Sequence, residues 1–299
     1  MKNKKILILG TGALATLFAA RFSNADIDVT MLGTWQAALD ALNRDGARLI
    51  DANGHETSHS VRAVSKCESA DLAVVLVKSW QTERVARQLE VCLAPDGVVV
   101  TLQNGLGNDE ILASHLGAER VAQGVITVGA TLVAPGVVRV GGQGLVSLEA
   151  DSRLGTFMAL LTEAGFQSEV VASAASLMWS KLVINTSINT LTALLDIPNG
   201  DVLKRPSVRK LLGLIVQETA AVAAAQKIPL SFADPVQAVG RIAERTASNS
   251  SSMRQDVLRG APTEIDAICG AVVRAGNAYG VPTPLNEILT ALIRARVEA

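Results

Sequence analysis

Short apolar runs recur through the first part of the chain: "KILILG", "DVTML", "LAVVLVK", "GVVVTLQNG" and "RVAQGVITVGA", all between residue 4 and about residue 130. They are rich in β-branched residues and apolar at successive positions, the pattern of strands buried on both faces of a parallel sheet. Segments of helical periodicity such as "QTERVARQLEVCL" separate them. Strands and helices alternating in this way predict a doubly wound α/β fold. "TLVAPGVVRVGGQGLVSLEA" reads instead as a hairpin-like extension, with turns at Pro135-Gly136 and Gly141-Gly142. Past about residue 172 the strand signals stop. Alanine- and leucine-rich helical patterns then run to the end, punctuated by Pro198-Asn199-Gly200, Pro206, Pro229 and Pro282-Thr283-Pro284. Two domains are expected, an α/β domain over 1–172 and an all-helical domain over 173–299. The polar stretch "TASNSSSMRQD" is short and flanked by helical patterns, so it reads as an ordered loop or a helix start.

Composition narrows the partners. The 299 residues carry a net charge of −1 with no long basic or acidic run, and aromatic residues make up 3%. This argues against nucleic acid and against an acidic lipid surface. The three cysteines, Cys67, Cys92 and Cys269, are scattered and odd in number. They are read as no disulfide framework and as suited to a reducing cytoplasm. The basic, apolar start "MKNKKILILGTGALATLFAARF" could be misread as a secretory signal, but Gly10 and Gly12 interrupt it at dinucleotide-binding spacing. No segment reaches the ~18 uninterrupted apolar residues of a membrane span. His55 and His59 lack a third ligand and His115 stands alone, so no metal is expected.

Gly10-x-Gly12-x-x-Ala15 directly follows the first strand and opens a helix. The first glycine permits the tight turn, the second lets backbone approach a pyrophosphate, and the small third residue permits close helix packing. The helix N-terminus then offers unpaired N–H groups to phosphate. A Rossmann-type dinucleotide-binding domain is the expectation. The second strand should end beside the adenosine ribose, where NAD enzymes usually carry an acid and NADP enzymes an arginine. Here the chain reads Leu32-Gly33-Thr34-Trp35, so the motif leaves the 2′ position undecided. "VKSWQ" and "LQNG" follow the fourth and fifth strands at their carboxyl ends, which makes Lys78, Gln81 and Asn104 suspects by location.

In the helical half, Lys181, Asn185 and Asn189 recur every fourth position in "SLMWSKLVINTSINTLTALLDIPNG". Residues four apart share a helix face, so a lysine and two carboxamides form a polar stripe on an otherwise apolar segment. Further on, Glu264 and Asp266 read as the start of a helical run continuing through Ile265, Ile268 and Cys269. Asp266 fits a first-turn acid favoured by the helix dipole. Position alone does not separate Glu264 from it.

The glycine fingerprint, "VKSWQ", "QNG", "WSKLVINTSINTLTALLDIPNG" and "SSMRQDVLRGAPTEID" span nearly the whole chain. In this order the sequence resembles the ketopantoate reductase (2-dehydropantoate 2-reductase) family of the 6-phosphogluconate dehydrogenase-like superfamily. The resemblance implies reduction of 2-dehydropantoate to (R)-pantoate with NAD(P)H, a step toward pantothenate and coenzyme A. It implies that Lys181 is the catalytic acid, assisted by Glu264, which also binds substrate. Asn185, Asn189, Asn199 and Ser252 would line the substrate site. Gly10, Gly12, Ala15, Thr34, Lys78, Gln81 and Asn104 would belong to the cofactor side or the cleft, with the stripe facing that interdomain cleft. Many relatives carry arginine where Thr34 stands, so NADP is the family default and NAD stays open. Thr190 replaces a proline common in the family. Two alternatives remain: a reductase of another 2-keto acid on the same scaffold, and a dinucleotide-sensing protein without turnover. Oligomeric state is left open, a homodimer included.

Overall fold

The computed structural model describes residues 4–142 and 144–298. The chain divides into two compact units. One runs up to Gln103 and resumes over Asn108–Ala174; the other joins Asn104–Gly107 to the chain from Ala175 onward.

The first unit carries strands β1 (Ile6–Leu9), β2 (Val29–Leu32), β3 (Ala47–Ile50), β4 (Glu56–His59), β5 (Arg62–Val64) and β6 (Ala70–Val75). Then follow β7 (Leu93–Thr101), β8 (Val121–Ile126), β9 (Ala130–Ala134), β10 (Val137–Val140), β11 (Leu145–Glu149) and β12 (Gln167–Val171). Eight of them form one sheet in the order β12-β11-β8-β7-β6-β1-β2-β5, parallel except where β11 meets β8. Successive residues of β1 point to opposite faces. Ile6 and Ile8 join a core with Phe18, Phe22 and Phe157, while Leu7 and Leu9 join another with Val85, Leu89 and Leu112. Burial on both faces is why this strand is apolar throughout. The chain leaves β1 to one side for β2 and later returns on the other side for β6. This makes the end of β1 the switch point where ligands of such sheets bind.

A second sheet, β4-β3-β10-β9, packs on the helix Ala13–Asn24. The expected hairpin is β9 with β10, antiparallel, but β11 leaves it to join the main sheet. Nothing in the hydrophobic pattern predicts β4, because Glu56, Thr57 and Ser58 are exposed and no apolar face marks the strand.

Cys67 and Cys92 form a disulfide with Cα atoms 5.9 Å apart, which overturns the expectation of unpaired thiols. The reason is topological. Cys67 lies just before β6, and Cys92 ends the helix Thr82–Cys92 that returns along β6, so the crossover brings the two ends together.

The second unit is helical: Ala174–Ile184, Thr190–Leu195, Asp201–Lys204, Pro206–Ala225, Pro235–Arg245, Ser252–Leu258, Cys269–Tyr279 and Pro284–Val297. Proline opens three of these helices, where its missing N–H is harmless and its fixed φ suits the first turn. Trp179, Leu182, Val183, Ile188, Ile215 and Val272 belong to the core it encloses. Among the described residues, no helix is long and apolar enough to cross a membrane.

Candidate active site

In the first unit, Gly10 has φ +125, a left-handed conformation that favours glycine, and its N–H donates to Leu32 O at 2.8 Å. Ala15 is fully buried one turn further on. Gly12 caps the helix Ala13–Asn24 without a side-chain cap. A Cβ placed on Gly12 would meet nothing within 4 Å. The protein's own packing therefore does not require glycine there. The open space lies over uncapped N–H groups at a helix N-terminus, a fit for a pyrophosphate.

Strands β2 and β6 flank β1 in parallel, so their carboxyl ends lie on the same edge as this turn. Past β6, Lys78 precedes a short 3₁₀ turn, Ser79–Gln81, which runs into the helix Thr82–Cys92. The turn is anchored from below. Gln103 Nε2 donates to Val77 O at 3.0 Å and to Thr82 Oγ1 at 2.8 Å, and Thr82 Oγ1 donates to Asn108 Oδ1 at 2.9 Å. Past β2, Thr34 is exposed, and Arg84 Nη1 donates to its Oγ1 at 3.2 Å. Sequence reading passed over Arg84, since fifty residues separate it from Thr34 and no local motif links them.

In the helical unit, the polar stripe sits on a break in the helix. The α-helix ends at Ile184, Asn185–Asn189 forms a π turn, and α-helix resumes at Thr190. A π turn widens the spacing to i→i+5 and is frequent at functional sites. The hydroxyls of Thr186, Ser187, Thr190 and Thr192 bond back to carbonyls one turn earlier, satisfying groups that the irregular turn disturbs. Asn185 and Asn189 are both buried, 9% exposed.

Lys181 is partly buried, and burial pushes its ammonium down to about 8; the negative charge of Glu264 partly opposes this. Glu264 is itself buried and accepts from Asn104 Nδ2 at 3.2 Å. Asn104 groups with this unit because Gly105, at φ +85, lies so close to Ala267 that a Cβ would come within 2.3 Å of its carbonyl oxygen. The Leu106 N–H donates to that same oxygen at 2.9 Å. Asn104 thus stands beside Glu264.

Glu264 and Asp266 do not start a helix; they lie in a turn before the helix that begins at Cys269. Asp266 instead accepts from Arg294 at 2.5 Å and 3.0 Å, so its role is an exposed ion pair. Asn199 is held by backbone bonds to the 246–249 segment, its N–H donating to Asn249 O at 3.0 Å. Its Nδ2 donates to Thr246 Oγ1 at 3.1 Å, while its Oδ1 is buried with no hydrogen-bond partner among the described residues. Ser252 is exposed at the first position of its helix, and the neighbouring Ser251 is the buried cap, sharing a 2.7 Å hydroxyl contact with Thr192. Among the described residues, no three His, Cys, Asp or Glu side chains gather to hold a metal.

These features define a Rossmann-type α/β unit and a helical unit with a partly buried lysine, a buried carboxylate and buried carboxamides. The family models agree with both halves: residues 6–152 match "Ketopantoate reductase PanE/ApbA" and residues 174–297 match "Ketopantoate reductase PanE/ApbA C terminal". The chain belongs to the ketopantoate reductase family. A 2-dehydropantoate 2-reductase of Halobacterium salinarum is 36% identical over 300 residues, covering 97% of this chain and 98% of that protein. One from Archaeoglobus fulgidus is 35% identical over 98% of each chain. Among solved structures, a PanE/ApbA family ketopantoate reductase from Ralstonia eutropha superposes with TM-score 0.91, 32% identity and 98% coverage of each chain. A D-mandelate dehydrogenase solved with NADH and anilino(oxo)acetate superposes with TM-score 0.92, 27% identity and the same coverage.

Proposed function

We propose that this protein is a 2-dehydropantoate 2-reductase, reducing 2-dehydropantoate to (R)-pantoate with NAD(P)H. The observation that carries the reading is Lys181, an ammonium brought to about 8 by burial and kept from falling further by Glu264. Reduction of a ketone adds hydride to carbon and develops negative charge on oxygen. The reduced nicotinamide supplies that hydride when bound. Lys181 stabilises the charge on oxygen and delivers the proton that completes the alcohol. A lysine near 10.5 is a weak acid at neutral pH, whereas one near 8 is matched to the task. Glu264 and Asn199 Oδ1 provide acceptors for the substrate hydroxyl, and Asn185 and Asn189 hold the keto acid without adding charge. Gly10, Gly12 and Ala15 form the turn for the pyrophosphate, and Thr34, Lys78 and Gln81 line its flanks. NADPH is the coenzyme we assign.

A second reading has one specific support. The D-mandelate dehydrogenase neighbour was solved with NADH and an oxo acid, which points to a reductase of another 2-keto acid. Oxidation of NADPH or NADH, followed at 340 nm as each of several 2-keto acids is added, separates the two readings. Turnover with ketopantoate supports the first; turnover confined to other keto acids supports the second. No turnover with any of them leaves neither standing.

A further inference from the structure

We propose that Arg84 receives the 2′-phosphate of NADPH, replacing the arginine that the end of β2 lacks. The assignment rests on the dinucleotide site of the reductase reading. In doubly wound folds the residue after β2 reaches the adenosine ribose, and NADP enzymes carry an arginine near it. Here that residue is Thr34, an exposed hydroxyl with no charge. The missing cation arrives from the other side of the switch point. The helix Thr82–Cys92 starts on the same sheet edge, beyond β6, and its third residue is Arg84. The Arg84 guanidinium reaches Thr34 Oγ1 at 3.2 Å, which fixes it over the β2 end.

Three further observations fit a phosphate rather than a structural bond. Arg84 is exposed and, among the described residues, forms no ion pair, so no carboxylate neutralises its charge. Its sequence neighbour Glu83 is held by Arg87 at 2.8 Å and His115 at 3.1 Å, so that carboxylate is already engaged. A guanidinium carries five donors, and one spent on Thr34 leaves four for a phosphate. Thr34 thus acts as a rest for the arginine and as a second donor to the same phosphate.

The test measures nucleotide binding directly, by calorimetry on the full-length protein, with adenosine 2′,5′-bisphosphate and 5′-AMP as probes. Wild-type protein should bind the bisphosphate more tightly, with a ratio that falls as salt rises. Arg84→Gln and Arg84→Ala should each reduce that ratio roughly ten- to hundredfold, the loss expected for charge-assisted bonds to phosphate. Arg84→Lys should keep part of it, as a point charge without the fork. Arg87→Ala, one turn along and paired with Glu83, is the control for surface charge and should keep the wild-type ratio. Equal binding of the two probes by wild type, or an unchanged ratio in Arg84→Gln, overturns the proposal. Turnover is a separate question. A protein that shows the Arg84-dependent ratio yet reduces no keto acid would reject the reductase reading and leave Arg84 assigned.

Discussion

Replacing Glu264 by glutamine keeps the shape and hydrogen-bonding capacity near Asn104 but removes the negative charge that holds the Lys181 ammonium up. Lys181, now at about 8, would titrate lower in Glu264→Gln, where the lowering by burial is left unopposed. The sign follows from its role. A proton donor works in its charged form, so the reduction rate is full below the lysine's pKa and declines as pH rises through it. Wild-type kcat should therefore fall above about pH 8, and the variant's fall should begin at a lower pH. At about pH 7.5 a fall of one unit would by itself remove roughly threefold of the rate, and that loss is recovered at lower pH. The assay is kcat against pH for ketopantoate reduction, with the variant's loss of substrate contacts appearing as a pH-independent offset. If both enzymes share the same alkaline limb, Lys181 is not the titrating acid or Glu264 does not tune it.

Lys181→Ala should lower kcat by ~10²–10⁴ while leaving dinucleotide affinity intact, since the pyrophosphate turn belongs to the other unit; near-wild-type turnover would make the lysine structural. Gly12→Ala puts a methyl group into space that the protein leaves open. Its melting temperature should stay close to wild type while the Kd for NADPH rises roughly tenfold or more, and unchanged affinity would remove the turn from the pyrophosphate site. The Cys67–Cys92 disulfide closes a loop of 25 residues. Its reduction should cost about 3 kcal/mol, read as a lower melting temperature on adding a thiol reductant. A Cys67→Ser protein should be insensitive to the reductant, and equal melting curves for oxidised and reduced wild type would contradict the staple.

The fold was legible where burial is two-sided. The β1 run is apolar at every position because Ile6 and Ile8 face one core and Leu7 and Leu9 another. Legibility failed at the exposed strand β4, where no apolar face exists to read, and at the Cys67–Cys92 pair, whose proximity follows from how the crossover returns. In the site, the Lys181, Asn185 and Asn189 stripe was visible as a period of four, but the π turn beneath it was not. That turn depends on hydroxyl back-bonds from Thr186, Ser187 and Thr190, which a pattern of polarity does not reveal. Asn104 was read from its strand, yet its position is set by the fit of Gly105 against Ala267. Arg84 was invisible for the same reason: its partner Thr34 is close in space and far along the chain.

The substrate itself is tested most directly by comparing ketopantoate with 2-ketoisovalerate, which differs by the absent hydroxymethyl group. Asn199 Oδ1 is buried without a partner among the described residues, and Glu264 is a buried carboxylate. The Asn199 oxygen is left unsatisfied by a substrate that lacks the hydroxyl. Sites built to bond a substrate hydroxyl reject such analogues by ~10⁴ or more, which an apolar pocket cannot do. The measurement is the ratio of kcat/KM for the two keto acids, taken with wild-type enzyme and NADPH. A ratio of roughly 10⁴ in favour of ketopantoate is the result expected of a 2-dehydropantoate 2-reductase. A ratio near one, or in favour of 2-ketoisovalerate, would contradict it and make this chain a reductase of other 2-keto acids.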